Sequence, residues 1–186
     1  MKKFELTTEF ITNAFGKKLF RIKALVEFGD VKAGELGGYV EKEGNVSQAG
    51  NAWVSGNARV YGNARVYGDA RVSGDARVYG DARVYGDAWV SGDARVYGDA
   101  RVSGNAWVSG NADYALVQGF GTEFRCTTFY RGKNKKIMVN CGCFHGDLEG
   151  FRKQVKETRN GKIAKEYLMI ADLMEYHFTS EDSSNE

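Results

Sequence analysis

Asn51-Ala52-Trp53-Val54-Ser55-Gly56-Asn57-Ala58-Arg59-Val60-Tyr61-Gly62 opens a six-residue period that runs unbroken to Ala112. Valine returns at every sixth place from Val54 to Val108, ten times in all. Alanine stands two residues before each valine and glycine two residues after it. A fixed internal period is read before anything else, because it dictates the architecture. In Ala-x-Val the side chains alternate, so alanine and valine face one side of a short strand and the residue between them faces the other. The Gly-Asn or Gly-Asp pair that follows is a corner, since these residues tolerate positive φ. Each unit is therefore one short strand and one bend, and a chain that bends alike every six residues winds into a solenoid. A helix is disfavoured: a glycine in every unit costs roughly 1 kcal/mol, and the period misses 3.6.

A second period counts the units in one coil. Trp53, Arg71, Trp89 and Trp107 precede every third valine, and Ser55, Ser73, Ser91 and Ser109 follow the same valines. The next set carries Arg59, Arg77 and Arg95 with Tyr61, Tyr79 and Tyr97. The third carries Arg65, Arg83 and Arg101 with Tyr67, Tyr85 and Ser103. The coil is thus a triangle with three distinguishable faces. An aliphatic residue followed four places later by a small one, as in Val54 to Ala58, resembles the hexapeptide-repeat, left-handed parallel β-helix family. Left-handedness is implied by that resemblance and not by the period.

Outside the repeat the pattern changes. Residues 1–50 read as an N-terminal β cap with a first imperfect coil. Leu19 to Leu25 alternates with Phe20, Ile22 and Ala24 on one face. Val40 and Val46 keep the period, but Val46 to Val54 is two residues longer, which places a bulge near Gln48. Residues 51–112 form the repeat, 113–178 a small α+β domain and 179–186 a polar tail expected to be disordered. In the α+β domain, Phe124 to Tyr130 reads as a strand, Arg131 to Lys136 as a basic turn and Ile137 to Phe144 as the return strand. Asp147 caps a helix with Leu148, Phe151 and Val155 on its apolar face. A second helix follows Asn160-Gly161 with Ala164, Tyr167, Leu168, Ala171, Met174 and Phe178. The expected fold class is mainly β: a parallel β-helix, a β cap and a ββαα domain that closes the last coil. This layout resembles hexapeptide-repeat proteins of phages and prophages of gut bacteria.

Several classes of function are set aside. A net charge of +2 implies no obligate nucleic-acid partner. No apolar run is long enough for a membrane span, and the N-terminal residues lack the apolar stretch of a signal peptide. Three cysteines, an odd number, suit a reducing cytoplasm, which is the host's if the chain is phage-encoded. Hexapeptide-repeat acyltransferases use a histidine base, and related carbonic anhydrases bind metal through three histidines. Here only His145 and His177 occur, neither in the coils. The expectation is a non-catalytic protein without cofactor or metal. Cys126, Cys141, Cys143 and His145 have ligand chemistry that suits zinc. Cys141 and Cys143 also continue the apolar face of Ile137 and Val139, which favours small buried hydrophobes. An ice-binding face is excluded by the lack of threonine between Thr12 and Thr122.

The outer faces carry the candidate sites. Arg59, Arg77 and Arg95 with Tyr61, Tyr79 and Tyr97 form a ladder suited to a phosphate-bearing, ring-stacking ligand. Against this, six repeat aspartates nearly match the seven repeat arginines and are expected to pair with them, with tyrosine rings stacked between guanidiniums. Trp53, Trp89 and Trp107 make an exposed apolar stripe and an interface. The family resemblance implies a homotrimer. Two readings follow: a trimer that sequesters a small nucleotide-like ligand of host defence between subunits, or a scaffold for a host or virion protein.

Overall fold

A computed structural model describes residues 2–179; of the polar tail expected at 179–186, all but its first residue lies outside them. The chain divides into two compact units, residues 1–111 and 112–186.

The first unit begins with three strands, β1 (Phe4–Thr12), β2 (Lys18–Ala24) and β3 (Leu36–Val40). β1 and β2 pair antiparallel, and β2 pairs antiparallel with β3. Registers shift on both sides of β2, so its alternation is broken: Leu19, Ile22 and Ala24 are buried while Phe20 is only half-buried. The expected Phe20–Ile22–Ala24 face is corrected accordingly.

Ten two-residue strands follow: β4 (Trp53–Val54), β5 (Arg59–Val60), β6 (Arg65–Val66), β7 (Arg71–Val72), β8 (Arg77–Val78), β9 (Arg83–Val84), β10 (Trp89–Val90), β11 (Arg95–Val96), β12 (Arg101–Val102) and β13 (Trp107–Val108). They pair in parallel with the strand three units on, giving faces β4–β7–β10–β13, β5–β8–β11 and β6–β9–β12. This is a mainly β, parallel β-solenoid of three faces, as the eighteen-residue spacing of like residues requires. β3 extends the second face, with Val40 opposite Val60, and Val46 bridges to Val66. Both offsets are two residues longer than Val54 to Val72, so the insertion lies between Val46 and Val54, where the sequence places it.

Repeat alanines and valines are buried throughout. Backbone ladders satisfy the strands, as in Arg71 N–H to Ala88 C=O (2.8 Å) and Trp89 N–H to Ala106 C=O (2.9 Å). The corner glycines stack on one another. Gly86, at φ +70°, would bring a Cβ to 2.9 Å from the Gly104 nitrogen, so the coil spacing itself excludes a side chain there.

The second unit has four antiparallel strands, β14 (Tyr114–Val117), β15 (Thr127–Arg131), β16 (Ile137–Cys141) and β17 (Phe144–Asp147), then α1 (Leu148–Thr158) and α2 (Gly161–Thr179). The expected ββαα order is corrected to ββββαα. Ile137 to Phe144 is not one strand, because the chain reverses at Gly142 (φ 62°) and pairs Cys141 with Phe144. Phe124 has positive φ, so strand β15 starts only at Thr127. Asp147 Oδ1 accepts from Gly150 N–H at 2.9 Å and caps α1 as expected. Phe129, Val139, Phe151, Val155, Tyr167, Met174 and Phe178 form the core between sheet and helices. Helix α2 continues through Thr179, one residue past the expected end of the α+β domain at 178. Among the described residues no helix is long and apolar enough to cross a membrane.

Candidate functional site: an arginine–tyrosine ladder under a hairpin tip

On the face β5–β8–β11 each strand points one arginine outward and is followed by one tyrosine. Parallel register places Arg59, Arg77 and Arg95 opposite one another. The tyrosines form a column of their own: Tyr61 and Tyr79 stack at 5.1 Å and 3°, Tyr79 and Tyr97 at 5.4 Å and 14°. The rings therefore stack on rings and are not interleaved with guanidiniums, contrary to the expectation from sequence. Burial raises the Tyr61 hydroxyl pKa, and its neighbour Tyr79 adds to this; the charges of Arg77, Arg59 and Arg95 act the other way.

The expected neutralisation by corner aspartates does not occur on this face. Among the described residues no carboxylate pairs with Arg59, Arg77 or Arg95. The corner side chains meet the next coil's corner instead: Asn51, Asn57 and Asn63 donate side-chain amides to Asp69 (2.8 Å), Asp75 (3.2 Å) and Asp81 (3.1 Å). Stacking at eighteen-residue intervals brings corner to corner, while the arginines leave from mid-strand. Like charges held about 5 Å apart repel by roughly 1 kcal/mol in bulk water and roughly 3 at an effective dielectric of 20. An anion beside them removes that cost.

The turn between β1 and β2 overhangs this ladder. Asn13, Ala14 and Phe15 close a cleft of about 390 Å³ with Arg59, Tyr61, Arg77, Tyr79 and Arg95. That size lies within the range of small-ligand sites, roughly 300–1,000 Å³. Tyr97 belongs to the column but does not line the cleft, and it is exposed. The hairpin's part was not legible in the sequence; the sole signal was an exposed-type turn, Asn13-Ala14-Phe15-Gly16, carrying an aromatic residue.

A second cleft, about 670 Å³, borders the face β6–β9–β12 with Arg65, Tyr67 and Arg83, walled by Glu43, Ser47 and Gln48. Tyr67 and Tyr85 stack there at 4.9 Å and 1°. Glu43 puts a carboxylate in its wall, and Gln48 is engaged with the backbone of Lys3 and Phe4. The first cleft has no carboxylate among its lining residues, which makes it the better anion site.

The tryptophan stripe is corrected. Trp53 is 2% exposed, packed edge-on against Phe4 (6.2 Å) and Phe28 (5.5 Å). Gly37 lies against its ring, where a Cβ would come within 2.7 Å. Trp89 and Trp107 remain exposed at 43% and 39%, with centroids 4.8 Å apart. Trp89 Nε1–H donates to Ser73 Oγ at 3.2 Å.

In the second unit, Cys141 packs against the core and its sulfur accepts from Thr127 Oγ1–H at 3.1 Å. Cys143 is exposed, not a buried hydrophobe, because Gly142 turns it off the strand face. Cys126 is half-buried and His145 exposed. Among the described residues no three His, Cys, Asp or Glu side chains are grouped to hold a metal ion. His177 occupies the last turn of α2, with its ring 4.9 Å from that of Phe178.

A family model described as a YdcK β-solenoid repeat matches residues 52–65, 58–74, 64–78, 76–92 and 94–112. Fold and family match agree that this is a β-solenoid repeat protein, and the matches stop where the solenoid does. No curated protein matches the sequence.

Proposed function

We propose that the chain is a non-catalytic binding protein that takes a small anionic, nucleotide-like ligand on the β5–β8–β11 face. One observation carries this reading: three guanidiniums without a carboxylate partner stand beside a tyrosine column inside a cleft. Arginine supplies forked donors to phosphate oxygens, and aromatic rings favour a flat heterocycle. The solenoid carries no histidine, so the acyltransferase reading lacks its base. The resemblance to phage and prophage hexapeptide-repeat proteins supplies the setting, a host cytoplasm in which a nucleotide signal of defence is sequestered.

The working form in this proposal is a homotrimer joined through Trp89 and Trp107, whose exposed rings are the apolar feature of an otherwise polar face. Native mass spectrometry of the purified protein tests both parts together. Three chains with retained ligand, and calorimetric binding of added ATP, are the expected results. A monomer at micromolar concentration removes the trimer; neither retained ligand nor ATP binding removes the ligand. Trp89→Asp with Trp107→Asp is expected to weaken the trimer by putting charge into a desolvated contact.

A second reading, a scaffold for a host or virion protein, is favoured by Met169, Leu173 and Tyr176, exposed together along α2. It predicts a protein partner whose binding is lost in Leu173→Lys and unaffected by changes on the ladder.

A further inference from the structure

The tip of the β1–β2 hairpin is built to hold one shape. Asn13 Oδ1 accepts from Phe15 N–H (2.9 Å) and Lys17 N–H (3.0 Å). Asn13 N–H donates to Lys17 C=O (2.9 Å) and Gly16 N–H to Asn13 C=O (3.0 Å). What this tip presents is Phe15, 77% exposed. A phenyl ring in that position contributes nothing to a core, yet it lines the ladder cleft.

The tyrosine column limits where a ligand ring can go. Stacked bases need roughly 3.4 Å on each side of a ring, so entry between two tyrosines requires roughly 6.8 Å. Tyr61 and Tyr79 are 5.1 Å apart and nearly parallel. A heterocycle therefore does not enter between Tyr61 and Tyr79, and the exposed aromatic ring among the cleft's lining residues is Phe15.

We propose that the hairpin tip is the ring-reading jaw of this site: Phe15 stacks on the heterocycle of a nucleoside phosphate, Asn13 holds the tip in shape through its Oδ1, and the phosphates lie on Arg59, Arg77 and Arg95. This deepens the anion reading above and rests on it. Phosphate affinity comes from the ladder, and discrimination between a nucleotide and a bare phosphate comes from the hairpin.

Calorimetry on the full chain with inorganic pyrophosphate, ADP and UDP separates the two. Wild type is expected to bind ADP and UDP about ten- to a hundredfold more tightly than pyrophosphate, the range set by one base–aromatic stack. Phe15→Ala is expected to bring both nucleotides down to the pyrophosphate level and leave pyrophosphate unchanged. Pyrophosphate that fails to bind overturns the ladder reading beneath the jaw. Pyrophosphate that binds while ADP and UDP bind no more tightly, or a ratio unchanged in Phe15→Ala, overturns the jaw alone.

Discussion

Two faces of the solenoid are made from the same repeat and end in opposite states. On β4–β7–β10–β13 the N-terminal segment covers the first rung: Phe4, Phe28 and Gly37 bury Trp53, and Asp30 pairs with Arg71. Lys3, itself buried, donates to the carbonyls of Gly50 (3.2 Å) and Ala52 (2.8 Å). On β5–β8–β11 the same segment only overhangs, through Asn13 to Phe15, and leaves Arg59, Arg77 and Arg95 without carboxylates. The repeat supplies equivalent outward positions; what lies outside the repeat decides which are structural and which stay open.

The largest break of that comparison is at the rung with tryptophan. Trp53→Ala is expected to cost ~3–5 kcal/mol, the range for a buried large aromatic, whereas Trp107→Ala, at the far end of the same column, should cost under ~1 kcal/mol. Urea denaturation of both variants measures it, and equal losses would mean that the cap does not hold Trp53 in solution. Next comes Arg77→Glu with Tyr79→Ala. It is expected to keep the circular dichroism spectrum and oligomeric state while weakening ATP binding by about a hundredfold, roughly 2.7 kcal/mol. Wild-type affinity should itself fall with salt, since open contacts are screened over ~8–10 Å. Unchanged affinity in the double variant moves the site off this ladder, with the basic turn Arg131 to Lys136 the next candidate. That turn is partly neutralised, Arg131 by Asp113 (3.1 Å) and Lys136 by Asp147 (3.4 Å).

A smaller effect separates the covered face by pH. Burial, with Arg71 nearby adding to it, lowers the Lys3 pKa from 10.5 to about 8. The folded state therefore releases this proton before the unfolded state does. Between pH 8 and 10.5 the unfolded chain binds more protons, and stability rises with pH. Burial raises the hydroxyls of Tyr61 and Tyr67, so their contribution is lost as pH climbs past 10 and opposes the rise. A net gain on the order of 1–2 kcal/mol from pH 8 to 9.5 is expected in wild type and should vanish in Lys3→Met. The smallest effect is on the open face. Arg77→Gln should stabilise the ligand-free protein by ~0.5–1 kcal/mol by relieving repulsion from Arg59 and Arg95. Arg71→Gln, which loses the Asp30 pair, should cost no more than ~1 kcal/mol. Stabilisation by both changes would erase the distinction between the faces.

Much of this was legible in the amino-acid order. Ala-x-Val-x-Gly at period six dictates short strands, corners and a buried alanine–valine core, because those patterns depend on neighbours within one unit. The eighteen-residue spacing dictates which side chains share a face, and hence the arginine and tyrosine columns. The two extra residues between Val46 and Val54 and the Asp147 cap were equally local. Elsewhere the sequence misled. Trp53, Trp89 and Trp107 occupy equivalent repeat positions, so nothing local marks Trp53 as buried; Phe4 and Phe28, far away in the chain, do that. Matching counts of arginine and aspartate suggested pairing, but counts carry no geometry, and coil stacking set aspartate against asparagine. Cys143 reads as a strand residue until Gly142 adopts positive φ. The cleft itself depends on where a hairpin tip from residues 13–15 lies over strands that begin at Arg59. Repeat periodicity specifies the scaffold because its contacts recur at a fixed separation. The site was decided only by tertiary structure, because it rests on contacts between segments that share no period.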